Sequence, residues 1–147
     1  MISKLLAGLC LMALCVMLHA TGLITAFEWI QGRSRPREGR HWPAVWLLIR
    51  VAGYTIFIHL LQIVVWALFY AWKGGMPDLT SACYFSAVTY TTTGYGDLVL
   101  PQEWRLVGGV EALTGIMMCG LSTGFYFAVF TKIFGLFIDK GEGTKAR

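Results

Sequence analysis

The chain has 147 residues, 56% of them hydrophobic and only 14% charged, with a formal net charge of +4. That balance is too apolar for an ordinary soluble domain, and the length suits one compact unit. The cations sit on segments flanking apolar runs, which argues against nucleic acid and for anionic lipid headgroups as their partner.

The first apolar run covers 5–30. At about 1.5 Å per residue it is long enough to cross a bilayer core of about 30 Å. Lys4 followed by an apolar stretch to Leu18 has the outline of a signal peptide. The run continues past His19-Ala20-Thr21-Gly22 to Trp29, however, which favours an uncleaved helix within an N-terminal segment 1–30. His19 and Glu28 are too far apart to form a site by themselves. A polar connector, 31–43, then carries Arg33, Arg35, Arg37 and Arg40. Pro36 and Gly39 interrupt these arginines, so the segment does not read as a voltage-sensing helix.

The second run, 44–72, holds His59 and Gln62 near its middle, where interhelical hydrogen bonds are the expected use of polar side chains. Lys73-Gly74-Gly75-Met76-Pro77 breaks it, and Asp78 or Thr80 can cap a new helix over 79–91. That helix is only about 18 Å long, roughly half a bilayer. Gly94 and Gly96 stop helix propagation, and the chain must return to Trp104 before the third run, 106–138. Non-helical backbone at membrane depth is tolerated only where protein buries it or where it lines a water-filled path. A half-helix followed by a glycine-containing strand therefore predicts a pore.

Along the third run, Gly115 and Gly120 read either as hinges or as close-packing positions, with Gly120 and Gly124 forming G-x-x-x-G. Glu111 is the one acid deep in a span. It reads as a functional group near the pore that attracts cations or bonds the pore helix, or as a carboxylate hydrated at the outer interface. Gly120-Leu121-Ser122-Thr123-Gly124 matches the nucleophile-elbow string, but that motif needs a strand-to-helix turn, so chance explains it. Residues 139–147 read as a short polar tail. Cys10, Cys15, Cys83 and Cys119 lie in apolar runs without C-x-x-C spacing and read as small hydrophobes.

By the positive-inside rule, the arginine connector and the C-terminal tail are cytoplasmic. The N-terminus then lies outside a cell (plasma or inner) membrane, as does the segment 73–105, where Lys73 and Arg105 face Asp78, Asp97 and Glu103. Trp29, Trp42 and Trp46 then mark the inner interface, and Trp72 and Trp104 the outer one.

Within this frame, Thr92-Thr93-Gly94-Tyr95-Gly96 resembles the T-V-G-Y-G selectivity filter of potassium channels, with Thr93 in the usual Val position. The resemblance covers a pore domain at about 44–138 and implies an outer helix (44–72), a pore helix (79–91), a filter (92–96) and an inner helix (106–138). It implies K⁺ ligands at the carbonyls of Thr92, Thr93, Gly94 and Tyr95, with the Thr92 hydroxyl below them. Tyr95 would turn away from the axis to brace the strand against the pore helix, and Asp97 would hydrogen-bond behind the filter. Tyr84 and Phe85 stand where many relatives carry a Trp pair, and Val88 where some carry a buried Glu.

The expectation is an all-α membrane protein with three transmembrane helices plus a re-entrant pore helix and filter loop. The resemblance implies a homotetramer that conducts K⁺ passively, needing no cofactor beyond the permeant ion and performing no enzymatic chemistry. A nonselective monovalent cation channel and a non-conducting accessory subunit are the alternatives.

Overall fold

The computed structural model describes residues 2–33 and 42–145, with side chains described over 2–32 and 42–133. Four helices account for nearly all of it: α1 (Ile2–Arg33), α2 (Trp42–Trp72), α3 (Leu79–Tyr90) and α4 (Arg105–Lys145), with one 3-10 turn at Gln102–Trp104. No strand occurs among the described residues. Three of the helices are long and apolar enough to cross a membrane, which makes this a multi-pass membrane protein. Arg35, Arg37 and Arg40 lie outside the described residues, as does the Arg33 side chain.

The chain leaves α2 through a glycine-closed end. Gly74 takes φ +66°, its N–H reaches the Ala71 carbonyl, and Gly75 N–H reaches the Tyr70 carbonyl at 2.8 Å. This satisfies the last carbonyls of α2 and turns the chain back. Asp78 then caps α3, accepting from Ser81 N–H at 2.8 Å and the Ser81 hydroxyl at 2.9 Å. Those bonds hold the exposed Asp78 carboxyl below its usual range.

Helix α3 dips inward and stops. Its last carbonyl, that of Tyr90, lies against Gly115, ten residues into α4 and thus about 15 Å along that helix. Half of the ~30 Å hydrocarbon thickness is what a re-entrant half-helix reaches.

Helix α1 runs along both α2 and α4 rather than standing apart. At one end, Lys4 pairs with Glu103 at 3.0 Å and lies 4.3 Å over the Trp104 ring. Further along, Gly8 lets Val107 approach and Gly22 lets Ile58 approach, while Thr25 bonds the Tyr54 hydroxyl at 3.0 Å. The main core draws on every helix, through Cys15, Trp66, Tyr70, Tyr90, Val107 and Met118 among others. Ile30, Val51, Val129 and Ile133 form a second cluster at the opposite end.

Two expectations change here. Trp104 is not an interfacial anchor: it is 8% exposed, packed edge-on to Phe69 at 5.6 Å and covered by Lys4, whereas Trp72 is 75% exposed. Helix α4 also passes the predicted end at 138 and continues to Lys145. A polar segment ends the burial of a helix but does not by itself break its backbone hydrogen bonds.

Candidate functional site

The loop after α3 has an unusual backbone. Thr91 ends the helix at φ −77°, and then Thr92, Gly94 and Gly96 take φ of +59°, +56° and +78°. Thr93 and Tyr95 between them have no positive φ, so the sign of φ alternates over 92–96. In an ordinary strand every φ has one sign and successive carbonyls point to opposite sides. Alternation of hand turns successive peptide groups the same way and so lines the carbonyls along one face.

The loop is tied to the end of α3. The Val88 carbonyl accepts from Thr93 N–H at 3.0 Å and Gly94 N–H at 3.3 Å, and Thr92 N–H reaches the Thr89 carbonyl at 2.9 Å. Val88 thus acts through its backbone, in a position where the resemblance expects a carboxylate in some relatives. The Thr93 hydroxyl lies 2.9 Å from that of Thr91, which donates in turn to the Ala87 carbonyl. Asp97 accepts from the Tyr84 hydroxyl at 2.7 Å and from Leu98 N–H at 3.0 Å. The Tyr84 bond is the main reason the Asp97 carboxyl is held below its usual range. Phe85 packs edge-on against Tyr70 at 5.4 Å.

Residues 91–97 are all exposed in the single chain, and Tyr95 is 72% exposed rather than packed on α3 of its own chain. Positions Gly94 and Gly96 have no heavy atom within 4 Å of where a Cβ would stand, so their glycines serve conformation and not close contact. Left-handed backbone at Thr92 is not visible in the composition. Only the two-residue spacing from Gly94 and Gly96 hints at it.

Glu111 is fully buried behind α3. One oxygen accepts from the Tyr70 hydroxyl at 2.9 Å and the other from the Ser86 hydroxyl at 2.5 Å, so it joins α4 to α2 and α3. This sets aside both a hydrated carboxylate and one facing permeant cations. Gly115 is buried under the Tyr90 carbonyl, where a Cβ would collide, whereas Gly120 is exposed with nothing within 4 Å of such an atom. The close-packing role therefore belongs to Gly115 within the chain, and Gly120 has no such contact.

A second polar assembly lies below. His19 of α1, His59 and Gln62 of α2, Tyr90 of α3 and Ser122 of α4 form a closed ring of hydrogen bonds. His59 and Gln62 do make the interhelical bonds expected of them. His19, unassignable by sequence spacing, acquires partners 43 and 103 residues away. Ser122 lies within helix α4, as the rejection of the elbow motif requires, and meets two imidazoles whose far nitrogens face Gln62 and Tyr90 rather than an acid. The available signal was a small set of polar residues in otherwise apolar spans. The cysteines are free, and no cluster of metal-ligating side chains occurs among the described residues.

A protein-family model described as "Ion channel" matches residues 53–132, which is 80 of the 147 residues. Nine curated proteins match the chain. One is the potassium voltage-gated channel protein Shal of Drosophila melanogaster, 31% identical over 90 residues. The aligned region is 56% of this chain but only 16% of that protein, so the chain spans a small part of its relative. No solved structure matches.

Proposed function

Because this chain belongs to the ion channel family, we propose that it is the subunit of a homotetrameric pore that conducts K⁺ selectively and passively. The observation that carries the proposal is the alternating backbone of 92–96, exposed along its whole length. An ion sheds its hydration shell only where oxygens replace the lost waters at matching distances. In this reading the carbonyls of Thr92, Thr93, Gly94 and Tyr95 supply them, with the Thr92 hydroxyl at the inner end. One strand cannot surround an ion, and non-helical backbone at membrane depth must be covered or line a water path. Four copies around an axis satisfy both needs, and they place Tyr95 against a neighbouring subunit.

Asp97 and Tyr84 hold the outer end of the filter, while Phe85 and the Val88 backbone support it from behind. Gly115 seats the pore helix, and Gly120 is the freer candidate for inner-helix bending. The filter mouth, with the start of α1, faces outside. The arginines of 33–40 and the C-terminus face the cytoplasm, where the arginines meet anionic headgroups. The purified protein tests this reading. A tetrameric mass with K⁺ efflux from liposomes supports it. Equal Na⁺ and K⁺ flux would favour a nonselective pore, and a protein without flux an accessory subunit.

A further inference from the structure

The ring of His19, Ser122, His59, Tyr90 and Gln62 has a direction. Gln62 Nε2 donates to the Cys15 carbonyl at 3.1 Å, and since a carbonyl only accepts, the amide orientation follows. The same nitrogen lies 3.1 Å from His19 Nδ1, which must accept, so the His19 proton resides on Nε2. That N–H points at the Ser122 hydroxyl oxygen, 3.1 Å away. On the other side, the Tyr90 hydroxyl donates to Gln62 Oε1, so the 3.0 Å contact of Tyr90 with His59 Nδ1 requires an N–H there. His59 Nε2 is then bare and accepts from Ser122, 2.9 Å away. Every donor finds an acceptor, and the cycle closes with both imidazoles neutral and in opposite tautomers.

A second proton has no place in this cycle. On His19 it would occupy Nδ1, facing the Gln62 N–H. On His59 it would occupy Nε2, and the Ser122 hydroxyl would have to turn away and accept from both rings, giving up its own bond in the cycle. The first puts donor against donor, the second breaks the cycle at Ser122, and the two rings are only 5.1 Å apart. The titratable groups near the ring are Cys15 on α1, Tyr90 itself on α3, and Cys119 and Glu111 on α4. Among the described residues no carboxylate bonds either imidazole, and both oxygens of Glu111 are already engaged by Tyr70 and Ser86. His59 is half-buried in the single chain.

Tyr90 is where this matters. It ends α3, its carbonyl rests on Gly115, and two residues later the backbone takes its first left-handed step at Thr92. We propose that His19, His59, Gln62 and Ser122 are positioning residues that clamp Tyr90 at the foot of the filter. By this clamp α1 is a working part of the pore, and a proton on either imidazole opens it. This rests on the channel reading above, since what the clamp positions is the filter.

The test uses the full-length protein in K⁺-loaded liposomes, with the same pH on both sides, scanned between about pH 8 and pH 4. Wild-type flux should fall by about tenfold per pH unit once below the pKa of the more basic imidazole, as the neutral fraction does. His19→Gln combined with His59→Gln keeps polar side chains that do not titrate, and it should remove that dependence. Wild-type flux flat across the range, or identical profiles for the two proteins, would overturn the proposal. Nitrogen chemical shifts of the labelled histidines read the ring without ion flow. At the alkaline end they should show His19 protonated on Nε2 and His59 on Nδ1, and any other tautomer pair refutes the ring. A protein with no flux at any pH would count against the channel reading, while the nitrogen shifts still decide for or against the ring.

Discussion

The Tyr90 carbonyl lies on Gly115 so closely that a Cβ at that glycine would stand 2.8 Å from the Tyr90 carbonyl carbon and 3.2 Å from its Cα. The obstacle is backbone at the end of the pore helix, which cannot swing aside as a flexible side chain could. Gly115→Ala should therefore cost at least the ~1–3 kcal/mol of an overpacked core and displace the entry to the filter. Gly120→Ala, in open space, should leave stability near that of the parent. Thermal unfolding of the two purified variants checks the contrast. Equal behaviour would mean that Gly115 is not a seat for the pore helix.

Glu111 carries two hydroxyl donors on a buried carboxylate. Glu111→Ala strands the hydroxyls of Tyr70 and Ser86 and opens a hole between three helices, with an expected loss of about 2–5 kcal/mol. Glu111→Gln keeps the shape and one good acceptor, so its loss should be about 1 kcal/mol. Chemical denaturation of the detergent-solubilised protein ranks them. A harmless Glu111→Ala would show that the node does not hold the pore helix.

For Gly94 and Gly96 the cost is conformational alone. An Ala at either position meets no atom within 4 Å but must adopt a left-handed backbone, at about 1–2 kcal/mol. Gly94→Ala and Gly96→Ala should fold and assemble, yet lose K⁺ flux because the carbonyl row turns. Size-exclusion profile and liposome flux, measured on one preparation, separate the two effects.

The Tyr84–Asp97 bond has a defined pH window. Its carboxyl is held below the usual range by the Tyr84 hydroxyl, so the stabilisation is fully present above the unfolded pKa of about 3.9. It is lost as pH falls through the lower folded value. The outer end of the filter should thus keep this support through neutral and mildly acidic conditions and lose it only below about pH 4. Asp97→Asn and Tyr84→Phe should show faster filter closure at neutral pH and little further change on acidification. Decay of K⁺ current under sustained driving force is the readout.

Much of this was legible in the residues. The spans, the half-helix and the glycine-bearing return follow from hydropathy, from Gly74-Gly75 and Pro77, and from the Asp78 cap, because these act locally. Illegible were the relationships set by how helices pack. For Glu111 the sequence leaves open a hydrated carboxylate, a cation-attracting one and one bonded to the helix 79–91, and only the contacts with Ser86 and Tyr70 decide for the last, while Trp104 reads as an anchor until Lys4 and Phe69 cover it. His19 has no sequence neighbour that could complete a site, since its partners come from α2 and α4. The left-handed Thr92 was hidden because threonine carries no propensity for that conformation.

The central claim is that four copies of 92–96 form a filter that prefers K⁺. The most direct measurement is the reversal potential of the purified, full-length protein in a planar bilayer with K⁺ on one side and Na⁺ on the other. The account predicts a zero-current voltage displaced strongly toward the K⁺ equilibrium potential, with the K⁺ current itself lost in Gly94→Ala. A reversal near zero millivolts with substantial current in both directions would contradict it.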